Sequence, residues 1–116
     1  AIGYPNAIWT HGGEFIVGDC LGYRLLSVDI ATNEITVVTP IPKGVVDGLR
    51  VDEQGNYLLS HFEGQVYRIS RTGETELLID ASADLGNTCD FEYVADRNLL
   101  VIPTLTGDRV AAYEFK

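Results

Sequence analysis

An all-β fold follows from three observations on this 116-residue sequence. Apolar residues alternate in short runs bounded by Gly, Asn, Asp and Pro, which is the period of half-buried strands. No stretch keeps a 3.6-residue period for three turns. The runs also recur. Gly13-Glu14-Phe15-Ile16-Val17 overlays Gly55-Asn56-Tyr57-Leu58-Leu59 at a shift of 42, and Leu25-Leu26-Ser27-Val28-Asp29 overlays Val66-Tyr67-Arg68-Ile69-Ser70 at 41. A third copy places Asp47-Gly48-Leu49-Arg50-Val51 over Asp90-Phe91-Glu92-Tyr93-Val94 at 43, with Gly64 over Gly107 at 43 and Val66 over Val110 at 44. Four short strands in each full copy, repeating about every 42 residues, form the pattern of a β-propeller blade.

The elements follow in order. The first copy, residues 5–41, opens with a short strand near Ala7–Thr10. A Gly12-Gly13 hairpin turn leads to strands Glu14–Val17 and Arg24–Ile30, and the Ala31-Thr32-Asn33 turn leads to an outer strand, Glu34–Thr39. The second copy, residues 47–81, repeats this as Leu49–Asp52, Tyr57–His61, Gln65–Ser70 and Glu74–Ile79, with Gly55 and Gly73 in its turns. The third, residues 90–116, supplies Phe91–Val94, Leu99–Ile102 and Val110–Phe115 and stops before a fourth strand. The chain is therefore expected to be one partial domain, 1–116, of three blades with the last incomplete. Propellers close with about four to eight blades. Three blades leave two apolar end faces and the edge of Val110–Phe115 uncovered, so either two identical halves build a six-bladed ring or the chain is the stable fragment of a longer polypeptide.

Composition narrows the function. With 46% apolar and 22% charged residues the chain should fold rather than stay disordered. Its net charge of −9 repels phosphate backbones and anionic lipid, so no nucleic-acid or membrane partner is expected. No window reaches the roughly 18 consecutive apolar residues of a spanning helix, and no targeting pattern precedes the first copy. The sequence contains no Met, so Ala1 is expected to be a processed or excised end or the start of a partial reading frame. Cys20 and Cys89 are too few for a disulfide scaffold and are expected to be reduced, partly buried thiols. No phosphate-cradling glycine motif is present.

Three segments carry a family resemblance: Tyr4-Pro5-Asn6-Ala7-Ile8-Trp9, Val46-Asp47-Gly48-Leu49-Arg50-Val51-Asp52 and Gly64-Gln65-Val66-Tyr67-Arg68-Ile69. With them the chain resembles the six-bladed gluconolactonase and senescence-marker (regucalcin-like) family. Its last stretch, from Asp90-Phe91-Glu92-Tyr93 to Ala112-Tyr113, is similar to the C-terminal blade of bacterial members. The resemblance implies a C-terminal half whose last blade is completed by a strand from elsewhere. It also implies a divalent cation in the central channel, Ca²⁺ first and Mg²⁺, Zn²⁺ or Mn²⁺ as alternatives, held by oxygen ligands at the inner-strand starts.

Matching motifs place Asn6 and Asp47 at two of those ligand positions, the remaining glutamate and asparagine belonging to the other half. The activity implied is metal-dependent hydrolysis of a sugar-type lactone or ester, with Asp47 also serving as general base. Read from spacing alone, Asn6 and Asp47 are equally ordinary turn-shaping residues. Asp90 occupies the equivalent start of the third copy and is a candidate substrate contact. His61 is a second candidate, on a loop expected to line an open mouth with Asp19, Cys20, Glu63 and Thr104. Trp9 and Tyr67 read as blade core rather than as ring-stacking residues. The alternative to an enzyme is a non-catalytic binding or scaffold module that self-associates into a six-bladed ring.

Overall fold

The computed structural model describes residues 1–115; the final residue of the third copy lies outside them. Eleven strands form three antiparallel sheets. Sheet 1 holds β1 (Pro5–His11), β2 (Glu14–Asp19), β3 (Arg24–Asp29) and β4 (Ile35–Pro40) in that order. Sheet 2 repeats it with β5 (Val46–Val51), β6 (Tyr57–His61), β7 (Gln65–Ile69) and β8 (Thr75–Asp80). Sheet 3 has β9 (Glu92–Val94), β10 (Leu99–Pro103) and β11 (Val110–Glu114), with a 3₁₀ turn, Ala95–Arg97, between the first two. No helix of the described residues is long and apolar enough to cross a membrane.

Alternation explains the packing. Successive side chains on a strand point to opposite faces, and both faces of the middle strands are apolar. Ile16, Leu25 and Ala7 of sheet 1 bury against Leu49, Tyr57, Leu59 and Ile69 of sheet 2. The other face of sheet 2, through Leu58 and Val66, buries against Phe91, Leu100 and Ile102 of sheet 3. Each fully buried side chain of this size contributes about 1.5–3 kcal/mol before entropy is counted. Close approach needs glycine at one position in particular. A Cβ on Gly48 would lie 2.6 Å from Phe91 and 2.8 Å from the Ser60 hydroxyl.

Most expected spans agree with the strands to within a residue or two. The first strands of sheets 1 and 2 differ, starting earlier and including Asn6 and Asp47. Cys20 and Cys89 are both free, the first buried and the second partly so; burial pushes both thiols above their ordinary pKa.

Candidate functional site

The site is built on two irregularities. The pairing of β1 with β2 steps from Pro5↔Asp19 to Ala7↔Gly18, leaving Asn6 outside the ladder. That of β5 with β6 steps from Val46↔His61 to Leu49↔Leu59, leaving Asp47 and Gly48 outside it. Such bulges re-aim the side chains they carry. Asn6 and Asp47 occupy equivalent places, 41 residues apart in the repeat, and lie within strands rather than in the tight turns that spacing alone allowed.

Hydrogen bonds fix both bulges. The Asn6 side-chain amide donates to the Val46 carbonyl at 2.6 Å, tying β1 to β5 beside Asp47. The Cys20 thiol donates weakly to the same carbonyl at 3.5 Å. The Gly48 N–H donates to the Ser60 hydroxyl at 2.8 Å, and that hydroxyl donates to the Cys89 carbonyl at 2.9 Å, linking sheets 2 and 3. Asn6 thus spends its nitrogen and keeps its oxygen. The Asp47 carboxylate accepts no hydrogen bond among the described residues; burial first, and then the neighbouring Asp90 carboxylate, push its pKa up.

Asp90 stands just before β9, its Oδ1 accepting from the Phe91 N–H at 3.0 Å and from Arg50 at 3.3 Å. Arg50 is the residue that sequence reading missed. Its guanidinium lies 4.1 Å from the Trp9 ring centroid. It also donates to Glu92 at 3.2 Å and to the Leu49 carbonyl at 2.8 Å. One side chain therefore fastens the first strands of all three sheets, combining ion pairing with cation–π attraction. The available signal was positional: Trp9, Arg50 and Tyr93 each stand three residues beyond Asn6, Asp47 and Asp90.

The residues expected at an open mouth differ in burial. His61 is 1% exposed, packed edge-on to Tyr67 with ring centroids 5.0 Å apart, so its ring does not reach a mouth from where it sits. Burial lowers its pKa, with Glu63 opposing more weakly, and its Nε2 has no hydrogen-bond partner among the described residues. Asp19 is fully buried, accepting from the N–H groups of Tyr4, Gly3 and Gly22 and from Arg24. Burial pushes its pKa up, but those four donors outweigh it and hold the carboxyl well below the usual range. Glu63 receives the Val45 N–H, and Thr104 organises its own turn through Gly107 and Arg109. Cys20 and Glu63 do border a hollow of about 450 Å³, together with Tyr4, Tyr23 and Gly44.

Asn6, Asp47 and Asp90 are brought together along adjoining first strands, and two of them offer unspent oxygen donors. Among the described residues no group of three or more His, Cys, Asp or Glu is arranged to hold a metal ion. Two hard oxygens suit part of the shell of a cation such as Ca²⁺, which takes about six to eight.

No protein-family model matches the chain, and no curated protein matches it. Solved structures do match in fold. A computationally designed protein, Ika4, superposes with a TM-score of 0.68 at 12% identity, covering 97% of this chain and 66% of its own. Virginiamycin B lyase from Staphylococcus aureus gives 0.65 at 14% identity, covering 96% and 41%. A gluconolactonase from Xanthomonas campestris gives 0.65 at 20% identity, covering 86% of this chain and 33% of that one. The chain thus spans between one third and two thirds of these proteins, and what it shares with them is the β-propeller architecture.

Proposed function

We propose that this chain is part of a divalent-metal-dependent, lactonase-like hydrolase acting on a sugar-type lactone or ester, and that it forms half of a six-bladed propeller. The observation that carries the reading is the pair of repeat-equivalent bulges at Asn6 and Asp47, tied together by the Asn6 amide bonding the carbonyl of Val46, the residue before Asp47. The fold shared with a gluconolactonase supports it.

Asn6 Oδ1 and the Asp47 carboxylate would hold the cation, Ca²⁺ by preference for hard oxygen donors, with Mg²⁺, Mn²⁺ or Zn²⁺ as alternatives. Bound there, a divalent cation supplies Lewis acidity toward a carbonyl oxygen. The remaining chemistry belongs to the side chains. Asp47 takes the proton of the attacking water at a carboxylate oxygen. The water oxygen adds to the carbonyl carbon, the ring C–O bond breaks, and the leaving alkoxide receives the proton from Asp47. Asp90, which accepts from Arg50, would accept from substrate hydroxyls. His61 would contact substrate only if the packing over its ring opens, since it is buried in the folded chain.

The test combines thermal melting with lactone hydrolysis under saturating Ca²⁺, Mg²⁺, Mn²⁺ or Zn²⁺. The expected result is stabilisation of the native chain by at least one of these ions and metal-dependent turnover, both lost in Asp47→Ala. Neither stabilisation nor turnover with any of the four ions would overturn the reading. Ligand binding without turnover would instead favour a non-catalytic binding module using the hollow beside Tyr4 and Tyr23.

A further inference from the structure

Sheets 1 and 3 each leave open a flank whose repeat equivalents are buried elsewhere in the chain. On one side, Ile8, Phe15, Val17 and Val28 of sheet 1 correspond to Leu49, Tyr57, Leu59 and Ile69 of sheet 2 at shifts of 41 or 42. Those four are at most 1% exposed, because they pack on sheet 1. Leu100 and Ile102 repeat Tyr57 and Leu59 in sheet 3 at a shift of 43 and are buried on sheet 2 with Phe91. In sheet 1 the flank is only partly covered among the described residues: Val17 is buried, Phe15 and Val28 are half-buried. Ile8 is 60% exposed, and a hollow of about 330 Å³ opens along Phe15, Val17 and Val28.

The opposite side shows the same pattern. Ile16 and Leu25 of sheet 1, and Leu58 and Val66 of sheet 2, are completely buried against the following sheet. Their equivalents in sheet 3 are Val101 and Val110, and Val110 is 69% exposed. The open flank of sheet 3 and the open flank of sheet 1 are therefore the two halves of an interface that the chain already builds twice.

We propose that a second copy of this chain covers both flanks. Sheet 3 of each protomer docks on sheet 1 of its partner, and a two-fold axis closes the two contacts into a ring of six sheets. The pairing rests on the half-ring reading above and is independent of the reaction assigned there. It would set Asn6, Asp47 and Asp90 twice around one axis, adding oxygen donors beyond the two that one chain offers.

Light scattering on a sizing column, across a wide range of protein concentration, tests the pairing with the native chain and two variants, Ile8→Asp and Val110→Asp. Both side chains are exposed in the single chain, so circular dichroism should show the fold retained. The native chain is expected near twice 12.7 kDa. Each variant is expected to weaken association by at least about tenfold, since it buries an unpaired charge at both contacts. A native monomer, an open ladder of larger species, or a dimer that survives Val110→Asp would each overturn the proposal. Lactone hydrolysis followed in the same fractions separates the two readings. A dimer sensitive to both variants but without turnover supports the pairing and counts only against the hydrolase. A monomer with turnover overturns the pairing alone.

Discussion

Replacing Asp19 by Asn should be among the most damaging conservative changes in the chain, because that carboxylate anchors the segment leading into the Asn6 bulge. It accepts from Tyr4 N–H at 2.8 Å, from Gly3 and Gly22 N–H at 3.2 Å each, and from Arg24 Nε at 3.0 Å. A hydrogen bond to a charged group contributes about 1.5–3 kcal/mol. The four are not additive, and Arg24, with a third of its side chain exposed, contributes at the weak end. The amide keeps the shape and one acceptor but turns a donor toward these N–H groups, so the expected loss is about 2–4 kcal/mol at pH 7.

The pH dependence follows from the depressed folded-state pKa. The Asp19 contribution is complete above the unfolded value, about 3.9, and declines as pH falls below it toward the folded value. At pH 3 the carboxylate is more ionised in the folded chain than in the unfolded one, where it is largely protonated. The cost of Asp19→Asn should therefore shrink by about 1 kcal/mol between pH 7 and pH 3. Urea unfolding at both pH values, at one fixed protein concentration so that any association contributes equally, measures the difference. A cost below about 0.5 kcal/mol at pH 7, or one that does not change with pH, would refute the assignment of Asp19 as a buried charged anchor.

Other expectations concern single positions. Gly64 has φ +113 and a Cβ there would meet the Ser82 backbone at 2.7 Å, whereas Gly86 has φ +76 and open space around it. Gly64→Ala should cost about 2 kcal/mol or more and Gly86→Ala about 1 kcal/mol in the same urea assay, and equal costs would contradict the steric account. Arg50→Ala should alter the emission of Trp9, the single Trp of the chain, and destabilise by about 1–3 kcal/mol. Arg50→Lys should restore charge without the planar stack, so an unchanged spectrum in Arg50→Ala would remove the cation–π contact from the account. The His61 imidazole, followed by NMR, should titrate below its ordinary value of about 6.5 because burial favours the neutral ring. Its contribution to stability is complete above that value and lost as pH falls through the folded midpoint; a midpoint at or above 6.5 would contradict the burial.

Local pattern and tertiary packing divide cleanly among these residues. Alternation in Tyr57-Leu58-Leu59-Ser60-His61, the turns at Gly12-Gly13 and Asn33, and the recurrence every 42 or so residues are properties of neighbouring amino acids. They sufficed to place nearly every strand, because strand period and turn preference act over a few residues. The likeness to solved propeller folds agrees with that reading.

Other features depended on partners far along the chain. Asn6 and Asp47 read as turn residues by spacing, yet cross-strand register puts both on bulges inside strands, secured by Val46 and Ser60. His61 read as a loop residue at a mouth, and the packing of Tyr67 and Gly44 over it makes it core. Arg50 carried no local signal of its own, and its place between Trp9, Asp90 and Glu92 exists only once three sheets adjoin. By itself the sequence determined which segments become strands and how often they repeat, since those follow from short-range periodicity. Only the tertiary structure decided which polar groups remain unspent, because a donor or acceptor is consumed by whichever distant backbone or side chain folding brings within about 3 Å of it.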